Sequence, residues 1–142
     1  MIKPFDFYLR ENLVKRTISN VSLAKALLEK GEIRFSRIKK ENISEKEYSL
    51  VFEDIYESLR EASQSLMEIK GFKPYSHEAL ISFLNEEKFL SPEKVNIINN
   101  YRILRNNSVY KAEQISKEKC FEALKFAEEI LPEIKQKFKE LK

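Results

Sequence analysis

Between Ser44 and Gly71 one apolar stripe runs without a break. Tyr48, Phe52, Ile55, Leu59, Ala62, Leu66 and Ile69 recur at spacings of three and four. That period belongs to a helix and is far too long for a strand. Ser44-Glu45-Lys46-Glu47 opens it as a capping box, with Ser44 as N-cap and Glu47 reaching back, and Gly71 closes it. About 26 residues at roughly 1.5 Å each make a helix on the order of 40 Å long. Ser58, Ala62, Ser63 and Ser65 are small residues that allow a neighbouring helix to come close. A second long stripe (Cys120, Leu124, Ala127, Leu131, Ile134, Phe138, Leu141) follows a cap at Ser116, and Pro132 inside it predicts a kink. Stripes of this kind are buried only against one another.

The rest of the chain reads as shorter helices. A first helical region begins near Pro4, with Val14, Ile18, Val21 and Leu28 close to one face, Leu23 and Leu27 beside them, and Gly31 as its stop. The basic stretch 32–42 fits either a short helix or an extension of the first. Ser76 caps a third helix carrying Ala79, Leu80, Phe83 and Leu84. Ser91-Pro92-Glu93 starts a fourth, on which Ile97, Tyr101 and Leu104 face the core. No alternating strand, internal repeat or low-complexity segment stands out. Two glycines and four prolines leave little turn chemistry for an all-β fold. The expected fold is all-α, an antiparallel up-and-down bundle of four to five helices, in one domain spanning 1–142.

Composition narrows the chemistry. A net charge of +3 is too small to imply nucleic-acid binding without local clustering. Cys120 and His77 are the only residues of their types, too few for a Cys/His zinc site. There is no phosphate-binding glycine loop and no spacing that supports a Ser-His-Asp arrangement, so neither a metal nor a cofactor is expected. No long uncharged apolar run suggests a membrane span or a signal peptide, and a cytoplasmic protein is expected.

Clustering appears in one place. From Lys94 to Lys111 there is no acid, while Asn96, Asn99, Asn100, Asn106 and Asn107 accompany Arg102 and Arg105. Arginines one turn apart can point the same way, and their planar forks suit phosphate oxygens. With Tyr101 alongside, the segment reads as a patch facing phosphate or RNA. The competing reading, favoured on spacing alone, is a solvated or subunit-facing surface paired with glutamates elsewhere. Asparagine disfavours a helix interior, so the end of this helix is expected to fray near Tyr110. Tyr110 then either lends a hydroxyl to the arginine pocket or packs as an amphipathic ring. His77 falls in the first turn of the third helix. A packing or capping role is preferred there over a general base, because a helix N-terminus disfavours imidazolium. The basic run Arg34 to Lys40 is diluted by Glu32 and Glu41 and reads as a solvated face.

The stretch from about Val51 to Ile134 resembles a HEPN domain, the helical module found beside minimal nucleotidyltransferases. Three parts carry the resemblance: the helix with Tyr56 leading through Gly71-Phe72-Lys73-Pro74-Tyr75-Ser76-His77; the run Tyr101-Arg102-Ile103-Leu104-Arg105-Asn106-Asn107-Ser108-Val109-Tyr110; and the capped last helix. Residues 1–42 add only the expected first helix. The resemblance implies a homodimeric bundle, often a toxin held by a nucleotidyltransferase antitoxin, and often a metal-independent ribonuclease with an Arg and a His from each subunit in a shared cleft. Arg105 fills the arginine position and Asn106 the polar one after it, while Tyr110 stands where the family has histidine. A phenol is a poor base at neutral pH, so catalysis by Arg105 and Tyr110 stays open beside RNA or nucleotide binding through Arg102, Asn106 and Tyr101. Some members carry a tyrosine two residues further on that a partner modifies; here that place is Ala112. The other reading is a non-catalytic module that binds a protein partner or a small nucleotide.

Overall fold

The long central stripe becomes a helix buried on almost every side. A computed structural model describes residues 1–142. The backbone N–H of Ser44 donates to Glu47 Oε1 at 3.1 Å, completing the capping box. One 3-10 turn, Glu45–Glu47, then leads into α3, Tyr48–Ile69, and Gly71 ends it at φ 83°. Phe52, Ile55, Leu59, Ala62 and Leu66 are fully buried, as their spacing predicts. So are Tyr56, Ser58, Ser63, Ser65 and Met67, which lie off the stripe. The reason is position: α3 is walled by α2 (Val21–Ser36), α4 (His77–Glu87), α5 (Pro92–Lys111) and α6 (Lys117–Leu141). The buried serines are mostly satisfied on their own helix, Ser58 Oγ donating to Asp54 O at 2.9 Å and Ser65 Oγ to Ala62 O at 2.5 Å.

The all-α bundle holds, with six helices rather than four to five and one small sheet. The N-terminal region accounts for the difference. It is not one helix. A short α1, Phe5–Arg10, turns at Asn12 (φ 59°) into a strand β1, Val14–Arg16, which pairs antiparallel with β2, Phe72–Pro74, in the register Val14 to Pro74 and Arg16 to Phe72. Thr17 N–H extends the ladder to Gly71 O at 2.7 Å. Ile18 is left 91% exposed, off the core face expected of it, because the chain is extended there. The Phe5 ring wedges between Phe72 and Phe83, at 5.1 and 5.8 Å between centroids, and binds α1 to the hairpin and to α4.

Gly31 does not stop a helix. It lies inside α2, buried, where a Cβ would sit 2.8 Å from Ser58 O and 3.1 Å from Ala62 N. Its role is the close approach of α2 to α3, and the stretch after it continues α2 to Ser36. Just beyond, Arg34 Nε donates to Glu61 Oε1 at 2.7 Å, and Lys30 Nζ lies 3.4 Å from Glu61 Oε2. The Glu61 side chain is only 1% exposed.

Serine caps behave as read: Ser76, Ser91 and Ser116 each accept from a backbone N–H in the first turn of α4, α5 and α6. Helix α6 runs unbroken through Pro132, which sits on the exposed side where the carbonyl freed by its missing N–H can be hydrated. Helix α5 does not fray at its asparagines and reaches Lys111. It ends at Ala112, held left-handed at φ 54° and ψ 30°, with Glu113 N–H donating to Asn107 O at 3.3 Å. That conformation strains a residue with a Cβ by about 1 kcal/mol. Ala112→Gly is therefore expected to raise stability by about 1 kcal/mol, read as a higher urea midpoint at unchanged slope. No helix is long and apolar enough to cross a membrane.

Candidate functional site

The arginine segment forms the middle and end of α5, and its residues divide between two environments. Tyr101 belongs to the core. It is 2% exposed, set edge-on to Phe52 and Phe126 at 5.4 and 5.6 Å. Its hydroxyl donates to Glu122 Oε2 at 2.8 Å. Burial and that bond push the phenol well above its ordinary value, and the same bond lowers the Glu122 carboxyl. Tyr101 therefore anchors α5 to α6 and does not share a surface with the arginines.

Arg102 and Arg105 do lie together. Arg102 Nε donates to Asn99 Oδ1 at 2.9 Å, and its Nη1 is a loose 3.8 Å from Glu78 Oε1 in the first turn of α4. Arg105 Nη1 donates to Asn106 Oδ1 at 3.2 Å, and the guanidinium carbon stands 6.0 Å from the centre of the Tyr56 ring. Arg105 has no carboxylate partner, in contrast to the glutamate pairing that spacing alone favours. The two amides explain why asparagine is tolerated here. Their oxygens are occupied by guanidinium donors, so they do not compete for the helix backbone.

Tyr110 stands apart within one protomer. Five residues at about 100° each carry it about 140° round the helix from Arg105. Its side chain is 75% exposed and hydrogen-bonds to no protein group. Between them on the inner face, Ser108 Oγ donates to Glu53 Oε2 at 3.1 Å and ties α5 to α3.

Two residues that spacing did not connect complete the cluster. The buried Tyr56 hydroxyl lies 3.0 Å from His77 Nδ1. The rings are tilted 32° at 5.9 Å. Burial pushes Tyr56 up to about 12, against the pull of Arg102, Arg60 and Arg105. Burial also lowers His77, and the positive charges of Arg60, Arg105 and Arg102 lower it further, with Glu57 opposing. Arg60 is held by Glu57, Nε to Oε1 at 2.9 Å, and by Gln64, Nη1 to Oε1 at 2.6 Å. Tyr56 and Arg60 are one turn apart on α3, a visible pairing; only the fold shows that α4 begins beside them.

What results is a half-buried group of guanidinium, imidazole and phenol donors. Such a set binds anions and gives phosphate oxygens several charge-assisted hydrogen bonds at once. A family model described as HEPN domain matches residues 14–137, from β1 into α6. A comparison with curated proteins finds no match.

Proposed function

The chain belongs to the HEPN family, and on that premise we propose that it engages RNA or a nucleotide through the Arg102–Arg105 face of α5, as a subunit of a toxin–antitoxin or nucleotidyltransferase-associated system. The observation that carries the reading is the Arg105 guanidinium. It is the one cation of the cluster with no carboxylate partner, tethered to an amide and an aromatic face and left able to meet phosphate. Asn106 orients it. Arg102 adds a second fork. Tyr101 acts from beneath, by fixing the helix that carries both.

Tyr110 enters through dimerisation. In a homodimer with paired α5 helices, the phenol of one protomer reaches the arginine of the other, where it donates a hydrogen bond to phosphate. A protonated phenol is a weak base, so this reading favours binding over metal-independent cleavage by Arg105 and Tyr110. The exposed apolar groups Ile103, Val109 and Tyr110 favour a second reading, a non-catalytic face for a protein partner such as a nucleotidyltransferase.

Fluorescence anisotropy with a labelled RNA pool tests the first reading. Arg105→Ala should weaken binding by about tenfold and reduce the salt dependence by about one counterion. Tyr110→Phe should weaken it less. Equal binding by wild type and Arg105→Ala, or none by either, sinks the RNA reading. Wild-type cleavage lost in both variants would make the protein an enzyme.

A further inference from the structure

The Tyr56–His77 pair satisfies a buried phenol with one nitrogen of a half-buried imidazole and leaves the other nitrogen open. His77 Nδ1 is held at 3.0 Å by the Tyr56 hydroxyl, while Nε2 has no protein partner. Beside the ring lies a cavity of about 160 Å³ whose polar lining is Arg60, Gln64, Tyr75, Ser76 and His77, with Pro74 and Leu80 as its apolar wall. Charged groups act on the imidazole from two other elements, Glu57 and Arg60 on α3 and Arg102 and Arg105 on α5, while Glu78 on α4 itself is the loose partner of Arg102. Three guanidinium groups face two carboxylates. With the imidazole neutral the cluster keeps one surplus positive charge, and that charge is on Arg105.

We propose that the cavity beside His77 is a phosphate-ester pocket, in which Arg60 and Gln64 form the wall, His77 Nε2 is the proton-exchanging contact to the bound anion, Tyr56 holds the ring from beneath, and Arg102 and Arg105 act on the imidazole through their charge. The proposal deepens the RNA reading and rests on it for the source of the phosphate; the pocket itself stands on the geometry. An entering phosphate cancels the surplus charge, and protonation of the imidazole then becomes favourable. The phenol accommodates the change. It donates to Nδ1 while the ring is neutral and accepts from Nδ1–H once the ring is charged, since a hydroxyl can do either. Burial keeps Tyr56 protonated throughout. His77 thereby supplies the titratable group near neutral pH that Tyr110 cannot.

The sign follows by linkage. A bound anion favours the imidazolium and so raises the His77 midpoint from its lowered value in the free protein, and by reciprocity protonation of His77 strengthens anion binding as pH falls through that midpoint. His77 is the only histidine, so one imidazole C–H signal in a proton NMR titration reports it alone. Saturating inorganic phosphate, and separately uridine 3′-monophosphate, should each raise the midpoint by about one pH unit relative to sodium chloride of equal ionic strength. Arg105→Gln should raise the midpoint of the free protein, because a neighbouring cation is gone, and should halve or abolish the phosphate-induced rise. Arg10→Gln, remote on α1, should change neither.

A midpoint that phosphate leaves where chloride leaves it overturns the pocket, even if the RNA pool still binds and Arg105→Ala still abolishes binding. In that case the RNA reading survives without it. A phosphate-induced rise in a protein that binds no RNA upholds the pocket and sinks the RNA reading. A rise with inorganic phosphate and none with the nucleotide upholds a site for free phosphate and overturns the nucleic-acid source.

Discussion

Gly31→Val is expected to destabilise the protein by about 3 kcal/mol or more and to lower the thermal midpoint by about 10 °C. The cause is the kind of atom that a new side chain meets. A Cβ at this position lies 2.8 Å from the carbonyl oxygen of Ser58 and 3.1 Å from the nitrogen of Ala62. Both are backbone atoms of α3, so no rotamer change relieves the clash. Relief requires α2 to lift off α3 as a body and uncover Ala24, Leu28, Leu59 and Ala62, all buried now. Gly31→Ala is the sharper measurement. Helix propensity alone favours alanine over glycine by about 1 kcal/mol. If the close approach governs, alanine should nonetheless be less stable than wild type by about 1 kcal/mol in a urea melt. An alanine variant as stable as wild type would show that the two helices can separate at little cost.

The second large effect lies on the same interface. Arg34→Ala is expected to destabilise by about 3 kcal/mol, because it leaves the Glu61 carboxylate buried beside Lys30 alone. Lys30 is 64% exposed and 3.4 Å away, a weaker partner than the Arg34 Nε at 2.7 Å. The penalty belongs to the stranded carboxylate more than to the lost attraction. A double variant, Arg34→Leu with Glu61→Leu, should therefore recover most of the stability lost in Arg34→Ala. Chemical denaturation of the three proteins decides it. A double variant as unstable as the single one would mean that Arg34 contributes through its packing or through Asp54, 3.9 Å from its Nη1.

Long periodic elements were legible from the residues, and short or tertiary ones were not. The α3 and α6 stripes and the caps at Ser76, Ser91 and Ser116 are local signals, and the structure keeps each of them. The strand Val14–Arg16 is three residues long with two exposed, too short for alternation to register, and its partner is more than fifty residues away. Gly31 reads as a stop because glycine tolerates left-handed backbone. Its real use, admitting another helix, leaves no mark in the local sequence. The arginine segment is visible through its lack of acids; Tyr101 takes the core position its spacing predicts and so leaves the patch, and Tyr110 faces outward, because helical phase separates residues that lie close along the chain. His77 read as a capping-region residue, and it does follow the Ser76 cap. What spacing cannot show is that Tyr56, on another helix, closes on its ring.

The central placement of α3 has a consequence for how the molecule fails. This one rod carries the Gly31 seat and the Glu61 carboxylate on one flank and the Tyr56 hydroxyl and Arg60 on another. Its partners come from both ends of the chain, so neither terminal half holds a complete core and disassembly should be all-or-none. Damage at the seam between α2 and α3 then lowers the share of molecules in the one folded state that holds the phenol against the imidazole. A lesion far from His77 can thus remove the proposed anion pocket by unfolding it, with every one of its side chains intact.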